Sequence, residues 1–140
     1  FKNTSYHKCS IVRNPYDRFI SEYYRIPIKH IGYKGGQNID DFIKYVENIV
    51  KNKHYNLTIF HNHFIPQYKY ICDIDNNIII DKLFRYENMD EIKLFLKEKY
   101  DVSLPHLNKS KNDKLEFTNL QKDKIYKIYQ KDFDIFNYPK

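Results

Sequence analysis

An apolar strand that passes directly into a capped helix constrains the fold of this chain more than any other feature. Residues 6–12 read YHKCSIV and favour a short strand that becomes apolar at its end. Asn14 is a good N-cap and Pro15 suits the first helical position, so the pattern predicts a helix that starts at once and runs to about Tyr24. Pro27 ends the pattern, because a proline forces the preceding residue out of the helical region.

This junction between strand and helix favours the binding of an anion. The first backbone N–H groups of a helix have no partner within the helix, and the helix dipole is positive at that end. Arg13 follows the strand and can present a planar guanidinium to a phosphate, while Ser21, nearly two turns into the helix, can donate a hydroxyl hydrogen bond. The alternative is an ordinary capped helix in which Arg13 binds local carbonyl or carboxylate groups, and spacing alone leaves both interpretations open.

Periodic apolar residues predict three further helices. The first opens at residues 40–41 and the second at residues 88–90, each with one apolar face. The last opens with a capping box that Thr118 and Gln121 form, and it runs to about Asp132.

Extended segments between these helices indicate the fold class. Residues 71–74 and 78–84 flank the turn residues 75–77, which is typical of a hairpin or a strand–turn–strand unit, and residues 57–60 also have a strand-like pattern. Strands that alternate with helices favour an α/β fold with a mainly parallel sheet.

Lysine and arginine differ in how strongly they indicate a binding site in this chain. The chain has a formal net charge of +6, which suits polyanionic partners, but lysine outnumbers arginine by 20 to 4 and is interleaved with acidic residues along the whole chain. A general compositional bias toward lysine explains this charge better than one basic surface does. Arginine is the informative cation, since Arg13, Arg18 and Arg25 all lie in the predicted strand–helix unit.

Length and composition exclude several classes of protein. A chain of 140 residues suits one domain, and 41% apolar residues exclude a disordered chain. No aliphatic run is long enough for a transmembrane helix. Cys9 and Cys72 lack zinc-site spacing, so no metal is expected, and they allow either one disulfide or two free thiols. The chain starts at Phe1 without a signal peptide, so we expect a fragment or a processed product.

Residues 13–21, which read RNPYDRFIS, resemble the 3′-phosphate-binding element of sulfotransferases that use 3′-phosphoadenosine 5′-phosphosulfate (PAPS). The resemblance is closest to the carbohydrate sulfotransferases of family 2, the group with the heparan 2-O, chondroitin and HNK-1 type enzymes. It implies that Arg13 and Ser21 bind the 3′-phosphate of PAPS. Four further segments are similar to later motifs of this family and follow in family order: residues 63–67 (HFIPQ), 84–89 (FRYENM), 104–110 (LPHLNKS) and 126–138 (YKIYQKDFDIFNY).

The resemblance implies an α/β core of the P-loop NTPase type, with a mainly parallel sheet flanked by helices. Residues 1–140 then form a single, partial sulfotransferase domain. The family also requires a loop that binds the 5′-phosphosulfate, with a lysine and small hydroxyl residues after a first strand. Nothing before Tyr6 supplies that loop, so we expect the N-terminal strand and phosphate loop to be missing.

Several residues receive expected roles from the resemblance. His63 ranks ahead of His61 as the catalytic base, with a structural histidine as the alternative. Lys109 and Ser110 are expected to close over the phosphates of the cofactor, with an exposed polar loop as the alternative. Arg85 and Glu87 are expected to form an ion pair near the site or to contact the sugar, and a structural pair is the simpler interpretation.

The expected function is transfer of a sulfuryl group from PAPS, as co-substrate, to a hydroxyl, with a carbohydrate as the expected acceptor. The chain is expected to be an enzyme domain that is weak or inactive without its upstream loop. Neither a metal nor a nucleic acid is an expected partner, and membrane contact is expected only through a segment outside this chain. The Golgi lumen is the expected compartment for a eukaryotic protein and the cytoplasm for a bacterial or viral one. The alternatives are a non-catalytic sulfotransferase-like domain and a basic module that binds polyanions.

Overall fold

The computed structural model describes residues 7–25, 38–56, 60–105 and 115–140. These residues form a small two-stranded sheet with helices packed beside it. The elements, in chain order, are β1 (Cys9–Val12), α1 (Pro15–Arg25), α2 (Ile39–Asn52), a 3₁₀ turn (His61–Phe64), α3 (Tyr68–Ile71), β2 (Lys82–Arg85), a second 3₁₀ turn (Tyr86–Asn88), α4 (Met89–Tyr100) and α5 (Asn119–Ile135).

The two strands run parallel, as the alternation of strands and helices predicts. Val12 of β1 lies opposite Arg85 of β2, so both strands end at the same edge of the sheet. Arg13 and Tyr86 continue from this edge, and the guanidinium of Arg13 lies 4.6 Å from the centre of the Tyr86 ring. β1 is shorter than expected, because its pairing begins only at Cys9.

The predicted starts of α1 and α5 are confirmed by their caps. The side chain of Asn14 accepts a hydrogen bond from the backbone N–H of Tyr16 at 2.9 Å. At α5 the hydroxyl of Thr118 accepts from the N–H of Gln121, and the side chain of Gln121 accepts from the N–H of Thr118. α5 continues beyond its predicted end, and non-helical backbone angles at Tyr129 kink it.

The starts of α2 and α4 lie within one residue of their predicted positions. Asn38 caps α2 by accepting a hydrogen bond from the N–H of Asp40 at 2.8 Å, so the helix begins at Ile39. α4 begins at Met89 and buries Ile92, which lies on the predicted apolar face.

The hairpin predicted around residues 75–77 is present only as a short antiparallel turn, in which the N–H of Asp73 donates to the carbonyl of Asn77 and the N–H of Ile79 to that of Ile71, both at 2.9 Å. Residues 72 and 78 make only one isolated antiparallel bridge, and β2 pairs with β1 instead. The side chain of Asp73 accepts the backbone N–H groups of Asp75 and Asn77, and these local bonds close a tight turn in place of a strand ladder. Of the strand predicted at 57–60, residues 57–59 lie outside the described residues, and Phe60 belongs to a turn.

The core lies where α1 and α2 pack against α5. It confirms the apolar face predicted for α2. The buried residues of this core are Val12, Phe19, Phe42, Ile43, Val46, Ile49, Phe64, Ile71, Ile125, Tyr129, Phe133, Phe136 and Tyr138.

Three general features of the described residues bear on the expectations above. Cys9 and Cys72 are both free thiols. None of the described helices combines the length and the apolar character needed to cross a membrane. Within the described ranges, no three histidine, cysteine or acidic side chains form a group able to hold a metal ion.

We expect Ile43→Ala to lower the free energy of unfolding by about 2–5 kcal/mol, because it removes a fully buried side chain from the contact between α2 and α5 and leaves a cavity. Ile74→Ala is the matched control, since Ile74 is 95% exposed and its loss should change the free energy by no more than about 0.5 kcal/mol. Urea unfolding of both variants is the measurement. Equal losses would show that the core lies elsewhere.

Candidate functional site

The backbone of Arg13 is held by one side chain. The N–H of Arg13 donates to Oε1 of Gln67 at 2.9 Å, and Nε2 of Gln67 donates to the carbonyl of Arg13 at 2.9 Å. The guanidinium stacks on Tyr86. Its Nε is buried and has no hydrogen-bond partner among the described residues. Such an orphan donor on a permanently charged group is suited to an anionic ligand.

Gln67 is in turn held by a buried carboxylate. The side chain of Asp132 is fully buried and accepts the backbone N–H groups of Gln67 and Tyr68, each at 2.8 Å. Burial raises the pKa of Asp132 above its ordinary value, while these two N–H groups act in the opposite direction. Gln67 and Asp132 both lie within family-like segments, but no local pattern in the sequence indicates a role for either.

The N-terminus of α1 already has a carboxylate. Oε1 of Glu87 accepts the backbone N–H of Asn14 at 2.7 Å, and Oε2 of Glu87 accepts the hydroxyl of Tyr138 at 3.0 Å. The protein itself therefore supplies an anion to part of the site that the sequence predicts for a ligand. Tyr138, which had no predicted role, ties the end of the chain to this junction.

The predicted ion pair between Arg85 and Glu87 is wrong. Arg85 donates to the carbonyls of Phe136 and Asn137 at 2.7 and 3.3 Å and stacks on the Tyr138 ring at 4.7 Å. The strand ends at Arg85 and the next residues form a 3₁₀ turn, so the strand alternation that would align the two side chains is lost. Glu87 consequently faces α1, while Arg85 holds the residues that follow α5.

Ser21 lies in the second turn of α1 and is partly exposed. It has a spacing of three from Arg18 and of four from Arg25, so the three share one helix face. At about 1.5 Å per residue, the backbone of Ser21 lies about 9 Å along the helix from that of Pro15. Arg13 and Ser21 therefore belong to one rigid strand–helix unit but lie at different heights along the helix axis.

His63 is held by side chains of α1. One terminal nitrogen of Arg18 donates to the carbonyls of His63 and Ile65 at 2.6 and 2.9 Å. Arg25 lies 2.7 Å from Nδ1 of His63 and also pairs with Glu22 at 2.8 Å. Glu22 lies 3.8 Å from the same imidazole nitrogen. Arg18, Glu22 and Arg25 of α1 thus form one charged cluster with the segment at His63.

The contact with Arg25 assigns the tautomer of His63. A guanidinium has no acceptor, so Nδ1 of His63 must accept, and in the neutral ring the proton lies on Nε2. Burial lowers the pKa of His63; Glu22 raises it, and Arg25 and Arg18 lower it. His63 is therefore held neutral, with its basic nitrogen occupied by Arg25.

His61 differs from His63 in both burial and partners. It is 4% exposed, and its Nδ1 lies 2.8 Å from the carbonyl of His54, to which it must donate. Its Nε2 then accepts from the hydroxyl of Tyr45 at 2.6 Å. Both ring nitrogens have protein partners, which makes His61 a structural residue that fastens its segment to α2.

Lys109 and Ser110 lie outside the described residues, in the range 106–114.

A cavity of about 440 Å³ lies beside the start of α1 and the residues that lead into α5. Asn14, Asp17, Phe117 and Lys122 are among the residues that line it.

We expect Glu22→Gln to lower the pKa of His63 further, since the carboxylate that favours the imidazolium is removed, and Arg25→Gln to raise it, since a cation at Nδ1 is removed. An NMR titration of the His63 ring signals measures both changes. Glu98→Gln, which removes a carboxylate from exposed α4, is the control and should leave this pKa unchanged. Shifts of the same sign in the Glu22 and Arg25 variants would contradict the opposite effects that we assign to these two residues on the pKa of His63.

Comparison with known families identifies the family of this chain. The model of the sulfotransferase family matches residues 2–139, which is nearly the whole chain and includes every segment discussed above. Comparisons with curated proteins and with solved structures gave no match. The strand–helix unit with Arg13 and Ser21, the segment at His63 and the elements that hold them all fall inside the matched range, and the chain belongs to the sulfotransferase family.

Proposed function

We propose that this chain uses PAPS as its sulfuryl donor and that Arg13 and Ser21 bind the 3′-phosphate. One observation carries this assignment. Arg18 and Arg25 bind protein groups through their guanidinium nitrogens, whereas Arg13 has a buried Nε without a partner among the described residues. Arg13 is therefore the arginine of this unit that is best prepared for an anion.

The position of Glu87 refines where this phosphate binds. Because Glu87 accepts the N–H of Asn14, a phosphate at that amide would meet a like charge. The guanidinium of Arg13 is therefore the proposed contact to the phosphate in place of that amide, and the hydroxyl of Ser21 adds a neutral donor from the helix. Lys109 and Ser110 remain proposed contacts to the cofactor phosphates.

The reaction is an in-line displacement at sulfur. The oxygen of an acceptor hydroxyl, which we propose to be that of a carbohydrate, forms a bond to sulfur as the bond between sulfur and the 5′-phosphate oxygen breaks. The sulfate ester and adenosine 3′,5′-bisphosphate are the products, and the hydroxyl proton passes to a base.

His63 is the proposed base, and its contacts define how it would act. Nδ1 must first lose its bond to Arg25, after which Arg25 keeps its pairing with Glu22. The same nitrogen can then accept the proton. The resulting imidazolium lies 3.8 Å from the other oxygen of Glu22, which stabilises the positive charge.

We expect the chain to bind adenosine 3′,5′-bisphosphate more tightly than adenosine 5′-monophosphate, because only the former has the phosphate for Arg13. Arg13→Ala should lower the affinity for the bisphosphate by about 10- to 100-fold, the range for a lost hydrogen bond to a charged group, and leave the monophosphate nearly unaffected. Isothermal titration calorimetry measures both ligands.

Lys127→Ala is the control for this experiment, since Lys127 is an exposed cation of α5 and its loss causes the same change in net charge. If both substitutions weaken the bisphosphate equally, general electrostatic attraction explains the binding. That result would favour the polyanion-binding module over the proposed cofactor site.

A further inference from the structure

Gln67 pairs with Arg13 as a neighbouring strand would. The ladder between β1 and β2 ends with Val12 and Arg85, so Arg13 lies one residue beyond it. The primary amide of Gln67 supplies one acceptor and one donor, and these meet the N–H and the carbonyl of Arg13, both at 2.9 Å. A side chain therefore fixes the backbone at the point where the guanidinium of Arg13 departs.

The amide of Gln67 can hold this position because its own backbone is fixed. Asp132 of α5 accepts the N–H of Gln67 through one oxygen and the N–H of Tyr68 through the other, so the carboxylate cannot rotate without losing a bond. Both Asp132 and Gln67 are buried, at 0% and 9% exposure. A continuous chain of hydrogen bonds thus links α5 to Arg13.

The polar character of this hydrogen-bonded series favours a role for Gln67 and Asp132 beyond packing. A buried carboxylate and a buried amide each cost free energy unless every polar atom is paired, and apolar side chains of similar size would fill the same volume without that cost. The series of hydrogen bonds from Asp132 through Gln67 ends on Arg13, whose Nε has no partner in the described ranges. Binding an anion with a guanidinium depends on its direction, and a fixed backbone sets that direction.

We infer that Gln67 is a positioning residue for Arg13, and that Asp132 holds Gln67 in the orientation that directs the guanidinium toward the 3′-phosphate. This inference rests on the proposed function of Arg13. It assigns Gln67 and Asp132 to recognition of the ligand, although neither side chain contacts it.

The test compares two ligands in each variant, because positioning and stability have different effects on them. Gln67→Glu keeps the acceptor for the N–H of Arg13 but places an oxygen against its carbonyl. Gln67→Met keeps the size and removes both bonds without adding a charge. We expect each variant to lower the preference for adenosine 3′,5′-bisphosphate over adenosine 5′-monophosphate by about 10-fold, while the affinity for the monophosphate stays within about twofold.

Gln121→Glu is the matched control. Gln121 is another buried glutamine, at 8% exposure, whose side chain bonds to Thr118 and Asp40 at the start of α5. Its substitution should lower the thermal midpoint of unfolding without changing the ligand preference. Circular dichroism melts of all variants separate the two effects.

The outcomes distinguish this inference from the proposal on which it rests. A wild-type chain without preference for the bisphosphate would overturn the 3′-phosphate site and this inference with it. If the wild type shows the preference and Arg13→Ala abolishes it, but both Gln67 variants retain it, the 3′-phosphate site stands and the positioning role is wrong. A fall in preference in both Gln67 variants, with none in Gln121→Glu, supports the role.

Discussion

The buried carboxylate of Asp132 is the interaction on which the arrangement of this domain depends. It accepts two backbone N–H groups from the segment that precedes and begins α3, and so fixes that segment to α5. Gln67 lies in this segment, and its side chain reaches the end of β1. The sheet edge and α5 are therefore joined through hydrogen bonds as well as through the apolar core. A charge buried this deeply is tolerated because both of its oxygens are paired.

The arginines of the strand–helix unit divide into two roles. Arg18 and Arg25 bind the segment at His63 through its carbonyl and its imidazole nitrogen, and so hold that histidine against α1. Arg13 stacks on Tyr86 and keeps a donor without a partner among the described residues. The division follows from position, since Arg13 precedes the helix at the sheet edge, whereas the others project from one face of α1 about two turns apart.

Glu87 places a carboxylate of the protein at the helix N-terminus where the sequence predicts a bound anion. It occupies the N–H of Asn14 and also accepts the hydroxyl of Tyr138, so it connects β2, α1 and the end of the chain. A carboxylate at this position stabilises the helix through the positive end of the helix dipole, and it does so without any ligand. Under the proposed function, the phosphate is left with the donors that remain, Arg13 first among them. The same junction that shapes the site is therefore part of what holds the fold together.

The sequence alone predicted the four longer helices (α1, α2, α4 and α5) but not the short α3, because caps and apolar periodicity are local signals: Asn14 and Thr118 cap α1 and α5 as their neighbours predict. The ordered family-like segments likewise predicted the sulfotransferase family, which the family match confirms. The predicted hairpin is much shorter than its apolar pattern indicates, because the local bonds of Asp73 and the pairing of β2 with β1 are not visible in that pattern. The roles of Gln67, Glu87 and Asp132 were decided only by the tertiary structure, since their partners lie more than fifty residues away along the chain. Hydrogen bonds between such distant groups form only after packing brings them together, and no local spacing in the sequence encodes them.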